Sequence, residues 1–221
     1  MVDKNLKRYI ELNIFPKYKK FYSHGMAHIN RVIDTSMILA KEYGLDENMC
    51  YTIAAYHDLG LSVDRENHEK ESGKILEKDR KLKKYFNQEQ ISIMKEAVED
   101  HRGSRKIEPR NIYGRIVSDS DRDFDIEILA KRQLATSIKN YPELNMFDEH
   151  FERCYKYLLN RLNKEKHFNL WTNNIMLIKQ RDGYEQKFLN KEYTKAVYKK
   201  EYDKIYKDGT IEKIINYYED Y

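Results

Sequence analysis

An all-α fold follows from three features of the 221-residue sequence. Only eight glycines and three prolines interrupt it, no stretch alternates β-branched with polar residues, and apolar residues recur at helical spacing between capping residues. The expected architecture is one helical bundle, residues 1–165, followed by a C-terminal helical extension, residues 166–221.

The elements follow in order. A first helix is expected from about Lys4 to Lys19, before a short turn at Ser23-His24-Gly25. The second carries His28, Val32, Met37, Ile38 and Leu39 towards Tyr43 and stops at Gly44, because glycine takes the left-handed conformation that closes a helix without strain. Asp46 reads as the N-cap of a third helix, Glu47 to Leu59, whose apolar residues Met49, Ile53, Ala54 and Tyr56 lead to His57-Asp58 in its last turn, with Gly60 ending it. Helices are then expected from His68 to about Lys78 and from Asn87 to about His101. A polar turn, Arg102 to Glu108, passes through Pro109 into a helix carrying Asp119, Asp121 and Asp125. Two more helices, about Asn145–Lys164 and Trp171–Leu189, close the core, and Lys191–Tyr221 is a helical segment rich in Tyr, Lys and Glu.

Composition narrows the function. Hydrophobic residues make up 40% and charged residues 35%, which places the chain among soluble globular proteins. No apolar run approaches the roughly 20 residues that span a bilayer, and Met1-Val2-Asp3-Lys4 opens without an apolar signal core, so a cytoplasmic location and no membrane partner are expected. Cys50 and Cys154 are far apart and lack metal-type spacing, as buried thiols in a reducing compartment would. The excess of Lys and Arg over Asp and Glu, 41 to 37, is spread along the chain and gives nucleic-acid binding no support. The nineteen tyrosines are interleaved with Lys and Glu, a pattern of helix packing and solvated faces rather than of base stacking.

The residues that carry chemistry form an ordered set: His28 in His-Ile-Asn-Arg-Val, His57-Asp58 in Ala-Ala-Tyr-His-Asp-Leu-Gly, His68, His101, and Asp121 in Ser-Asp-Ser-Asp-Arg. Each falls near an expected helix end or on a helix face. Neutral imidazoles mixed with carboxylates suit a borderline divalent ion better than a thiolate-seeking one. Isolated histidines such as His150 and His167 read instead as packed or solvated residues.

On these motifs, over about Phe21 to Arg132, the sequence resembles the HD-domain phosphohydrolase superfamily, and in particular its bacterial stand-alone branch. The resemblance implies an HD-type helical bundle and places His28, His57, Asp58 and Asp121 on the four family ligand positions, with His57 and Asp58 at the centre of catalysis. Asp121 is preferred to Asp119 because Arg122 follows it; Asp119 stays open as a supporting or alternative ligand. His68 and His101 stand where some members hold a second metal, with Asp58 bridging. One or two divalent ions per chain are expected, among Mn, Fe, Co, Ni, Zn and Mg. Bound metal brings the pKa of a water to about 7 and neutralises phosphate charge.

The activity implied is metal-dependent hydrolysis of a small phosphate ester or nucleotide-like substrate. Two other readings are a non-catalytic module that binds metal or nucleotide and signals to a partner, and an oxygenase built on a di-iron site. Branches that cleave nucleoside monophosphates or guanosine alarmones place an acid three or four residues after His-Asp; here Leu59, Gly60, Leu61 and Ser62 follow, and the nearest acids are Asp64 and Glu66. Expected substrate contacts are Arg102, Arg105 and Lys106 in the turn after His101, Arg122, and His24, for which pairing with His28 and capping are alternatives. Arg31 and Arg122 can also serve as partners of the site carboxylates. Late amphipathic helices allow a homodimer.

Overall fold

The computed structural model describes residues 1–20, 24–103, 105–164 and 170–216. Among these there are eleven α-helices and no strand. The chain forms two compact units, one of residues 1–122 with 170–174, the other of 123–169 with 175–221. The helices Ile126–Asn140 and Phe147–Lys164, expected within the bundle of residues 1–165, thus belong to the second unit.

In the first unit, α1 (Lys4–Asn13) is capped by Asp3, whose carboxylate accepts from the amides of Asn5 and Leu6. The continuous helix expected to Lys19 instead breaks: Pro16 has no N–H to donate and disfavours helical backbone at Phe15, so a 3-10 turn covers Phe15–Lys20. Helix α2 (Met26–Glu42) ends where Gly44 adopts φ 63°. Helix α3 (Glu47–Tyr56) is capped by Asp46 and buries every residue from Met49 to Tyr56. A helix apolar on all sides belongs at the centre, and α3 packs against α1, α2, α4 (His68–Lys78), α5 (Gln88–Glu99) and α6 (Ile112–Ser120).

The C-terminal end of α3 is fastened where the site begins. Tyr18 donates to the Ala55 carbonyl at 2.9 Å, while Tyr56 and Tyr9 both donate to Asp79 Oδ2 at 2.6 Å. The helix stops at Tyr56, three residues before the expected Leu59: His57 is its C-cap, Asp58 precedes a second 3-10 turn, Leu59–Ser62, and Gly60 lies inside that turn. Helix α5 opens with a capping box between Asn87 and Gln90. Helix α6 ends at Ser120 with Asp121 as C-cap, so the single helix expected to carry Asp119, Asp121 and Asp125 is two, and Asp125 caps α7 (Ile126–Asn140). The segment 170–174 is drawn to the first unit by Asp119, a buried residue that accepts from Trp171 N at 2.9 Å and from Thr172 N and Oγ1 at 2.7 Å.

The second unit comprises α7, α8 (Phe147–Lys164), α9 (Ile175–Leu189), α10 (Lys191–Lys207) and α11 (Thr210–Asn216). Its core is aromatic. Phe147 stacks on Phe151, Phe151 on Tyr155 and Tyr184 on Phe188, and Tyr198 meets Phe151 edge-on, so a share of the tyrosines serve packing. His150 is buried here with Nδ1 2.8 Å from Ser137 Oγ, a packed histidine as expected; His167 lies outside the described residues.

Candidate metal centre

Six side chains converge in the first unit, each from a helix end. His28 lies in the first turn of α2, His57 and Asp58 follow α3, His68 opens α4, His101 follows the C-cap of α5, and Asp121 caps α6. Helix termini leave backbone groups without helical partners and let adjacent side chains diverge. Those free carbonyls orient the rings: His57 Nδ1 lies 2.8 Å from the Ala54 carbonyl, His101 Nδ1 2.6 Å from that of Val98, and His68 Nδ1 3.1 Å from that of Arg65. A carbonyl only accepts, so in each ring Nδ1 carries a proton and Nε2 is the atom turned to the site.

Asp58 stands between two pairs of these nitrogens. Its Oδ2 is 3.2 Å from His57 Nε2 and 3.4 Å from His28 Nε2; its Oδ1 is 3.5 Å from His101 Nε2 and 3.6 Å from His68 Nε2. Asp121 Oδ1 completes the first pair, 3.3 Å from His28 Nε2 and 3.8 Å from His57 Nε2. One donor atom each from His28, His57 and Asp121 lies within 4.8 Å of the others, and the same holds for His57, Asp58 and His101.

His28 is held differently. Arg31, three residues on along α2, places Nη2 3.1 Å from His28 Nδ1 and extends the same guanidinium to three carbonyls at the end of α6, those of Ser120 (3.1 Å), Arg122 (2.9 Å) and Asp121 (3.4 Å). Those oxygens carry the negative end of the helix dipole, which a cation satisfies. Arg31 thereby ties the helix bearing His28 to the end of the helix bearing Asp121. Since a guanidinium only donates, the ring proton of His28 sits on Nε2 in this arrangement, aimed at the carboxylates.

The electrostatics are those of a cation site. Burial works against ionised Asp58, but charged His57 and hydrogen bonds from His101, His28 and His57 hold its carboxyl well below the usual range. Asp121 is likewise held down against burial, by His28 and then His57. Burial resists charge on His57, yet Asp58 and Asp121 push its pKa up to about 9. Burial and the neighbouring His101 lower that of His68. In the metal-free chain, protons thus occupy the place between the carboxylates. Asp58 Oδ2 is buried with the His57 and His28 rings beside it at 3.2 and 3.4 Å in imperfect alignment, and an ionised carboxylate taken out of water costs several kcal/mol that a cation offsets. Imidazole and carboxylate donors in this number fit one or two borderline divalent ions.

The other expected residues have different surroundings. His24 meets the His28 ring edge-on at 5.4 Å between centroids. Arg102 donates to the Glu66 carbonyl at 2.6 Å and lies 3.5 Å from Glu69. Arg105 pairs with the fully buried Asp100 at 3.0 Å, a carboxylate it shares with Arg110, so its charge is engaged inside the fold. Lys106 is exposed. Arg122 packs its guanidinium near Gly103, in the turn after His101. Asp119, open at the sequence level as a ligand, uses its carboxylate on residues 171 and 172. Asp64 spends its carboxylate on the amides of Glu66 and Asn67, shaping the turn before α4. What sequence reasoning missed is Arg31 as a clasp on backbone carbonyls, because nothing local marks which carbonyls a distant helix end will present.

Residues 25–123 match the family model described as HD domain. An uncharacterised protein of Clostridium beijerinckii is 32% identical over 97 residues, 41% of this chain and 60% of that protein, so the chain spans less than two thirds of the relative's length. A solved structure from an uncultured Thermotogales bacterium, described as a predicted HD superfamily hydrolase, is similar over 71% of this chain and 89% of its own, with 18% identity and a TM-score of 0.46.

Proposed function

We propose, from the match of residues 25–123 to the HD domain family, that this chain is a metal-dependent phosphohydrolase with a binuclear centre, acting on a small phosphate ester or nucleotide-like substrate. The observation that carries the reading is Asp58, whose two oxygens face separate histidine pairs, His28 with His57 and His68 with His101.

Divalent ions held there supply an acidified water and neutralise phosphate charge. The chain's own residues hold and orient. His57, His68 and His101 would offer Nε2 to an ion with the ring proton already on Nδ1, His28 would first give up its Nε2 proton, Asp58 would offer one oxygen to each histidine pair, and Asp121, whose side chain is 25% exposed against 3% for Asp58, is the carboxylate nearer solvent. Arg102 and Arg122, on either side of the turn after His101, are the guanidinium groups proposed to meet substrate phosphate; planar forks suit its oxygens. Lys106 and His24 are proposed to lie on the substrate side, while Arg105 acts through Asp100.

The test is turnover by protein loaded with Mn(II), Co(II) or Zn(II) across a panel of phosphomonoesters, phosphodiesters and nucleotides. His57→Ala and Asp58→Ala are expected to abolish it while retaining helical circular dichroism. Metal uptake and nucleotide binding without turnover on any panel member would establish the non-catalytic reading instead.

A further inference from the structure

We infer that Gly60 decides whether this chain takes a second ion, by letting α4 approach closely enough for His68 to face Asp58. The inference rests on the binuclear reading above. A Cβ built on Gly60 would lie 2.1 Å from the His68 carbonyl oxygen, 2.7 Å from the Ser72 amide nitrogen and 2.9 Å from Glu71 Cβ. The two nearest atoms are backbone and cannot rotate away. Gly60 is not among the glycines with positive φ, which among the described residues are Gly44 and Gly209, so proximity rather than backbone conformation demands glycine here.

The seat is two-sided. Gly60 N–H donates to Ser72 Oγ at 2.8 Å, and Ser72 is fully buried. The 3-10 turn that leaves Asp58 therefore rests directly on the first turns of α4. The residue whose carbonyl a methyl group would strike is the same residue whose Nε2 stands 3.6 Å from Asp58 Oδ1. Relief to the 3.0 Å below which real Cβ contacts essentially never fall requires a shift of about 0.9 Å from 2.1 Å.

Which side yields follows from burial. Leu59, Gly60 and Leu61 are buried, whereas the His68 side chain at the start of α4 is 14% exposed and the residues just before it, Arg65, Glu66 and Asn67, are exposed. The start of α4 moves, carrying His68 away from Asp58. The remaining donors come from other elements: His28 belongs to α2, His57 and Asp58 follow α3, His101 follows α5 and Asp121 caps α6. The loss is selective for the ion that His68 helps to hold, because a displacement near 1 Å is large against ligand distances that tolerate about 0.2 Å.

The test loads wild type, Gly60→Ala, Ser72→Ala and His68→Ala with Mn(II). Ions per chain are measured by elemental analysis after desalting, stepwise affinities by calorimetry, and folding by circular dichroism. Wild type is expected to hold two ions, Gly60→Ala and His68→Ala one, and Ser72→Ala two, the second bound at least about tenfold more weakly and the first unchanged. A folded Gly60→Ala chain that binds two ions with wild-type affinities overturns the inference and leaves the binuclear reading standing. Should Gly60→Ala not fold, Ser72→Ala decides: an unchanged second affinity overturns the inference. A wild-type chain holding fewer than two ions overturns both.

Discussion

Arg31 shows how much of the site is held by one side chain acting on backbone carbonyls. Its guanidinium joins the His28 ring to three carbonyls at the end of α6, so the spacing between two ligands on different helices depends on it. Arg31→Ala is expected to lower metal affinity by about 10–100-fold, the usual effect of removing a group that orients a ligand. Arg31→Lys should recover only part of this, because a single ammonium cannot fork between ring and backbone. Competition with a chelating dye measures both, and affinities equal to wild type for Arg31→Ala would refute the clasp.

At the level of elements, helix ends do two kinds of work. The Asn87–Gln90 capping box at α5 closes an exposed terminus on the helix that leads to His101. Asn87→Ala is expected to cost about 1 kcal/mol, read as a lowered urea midpoint with an unchanged slope. Asp119 works inside the fold, collecting three donors from residues 171 and 172 at the end of α6, two residues before Asp121. In Asp119→Ala those donors lose their acceptor, at about 1–3 kcal/mol for each one left buried and unsatisfied. Hydrogen exchange should show the Trp171 and Thr172 amides losing protection while α3 keeps its own; unaltered exchange there would contradict this role.

For the molecule as a whole, the buried charges set a pH dependence that metal reverses. In the metal-free chain His57 has its pKa raised from 6.5 to about 9. A raised folded pKa contributes stability that is full below the unfolded value near 6.5 and is lost as pH climbs through about 9. Asp58, depressed, contributes above its usual range and loses that contribution only on acidification. The chelator-treated chain is therefore expected to melt at progressively lower temperature between about pH 6.5 and 9, and the rise in Tm on adding Mn(II) to grow over the same window as fewer protons must be displaced. A metal-induced rise that shrinks with pH would show that protons do not occupy the ion's place.

Hydrophobic period, cap chemistry and ligand type are local properties, and from them alone follow the all-helical class, the near-exact span of α4, the cap at Asp46, the start of α5 near Asn87, and the set of residues that meet around Asp58. Tertiary structure alone decided the rest. That α3 stops at Tyr56, that Arg105 turns to Asp100, that Asp119 serves the segment at 171 and 172, and that Gly60 lies against the backbone of α4 all depend on which distant group is brought near. A guanidinium, a carboxylate or a missing Cβ looks the same in sequence whatever faces it; burial removes water as a partner and leaves the choice to the neighbours that packing supplies.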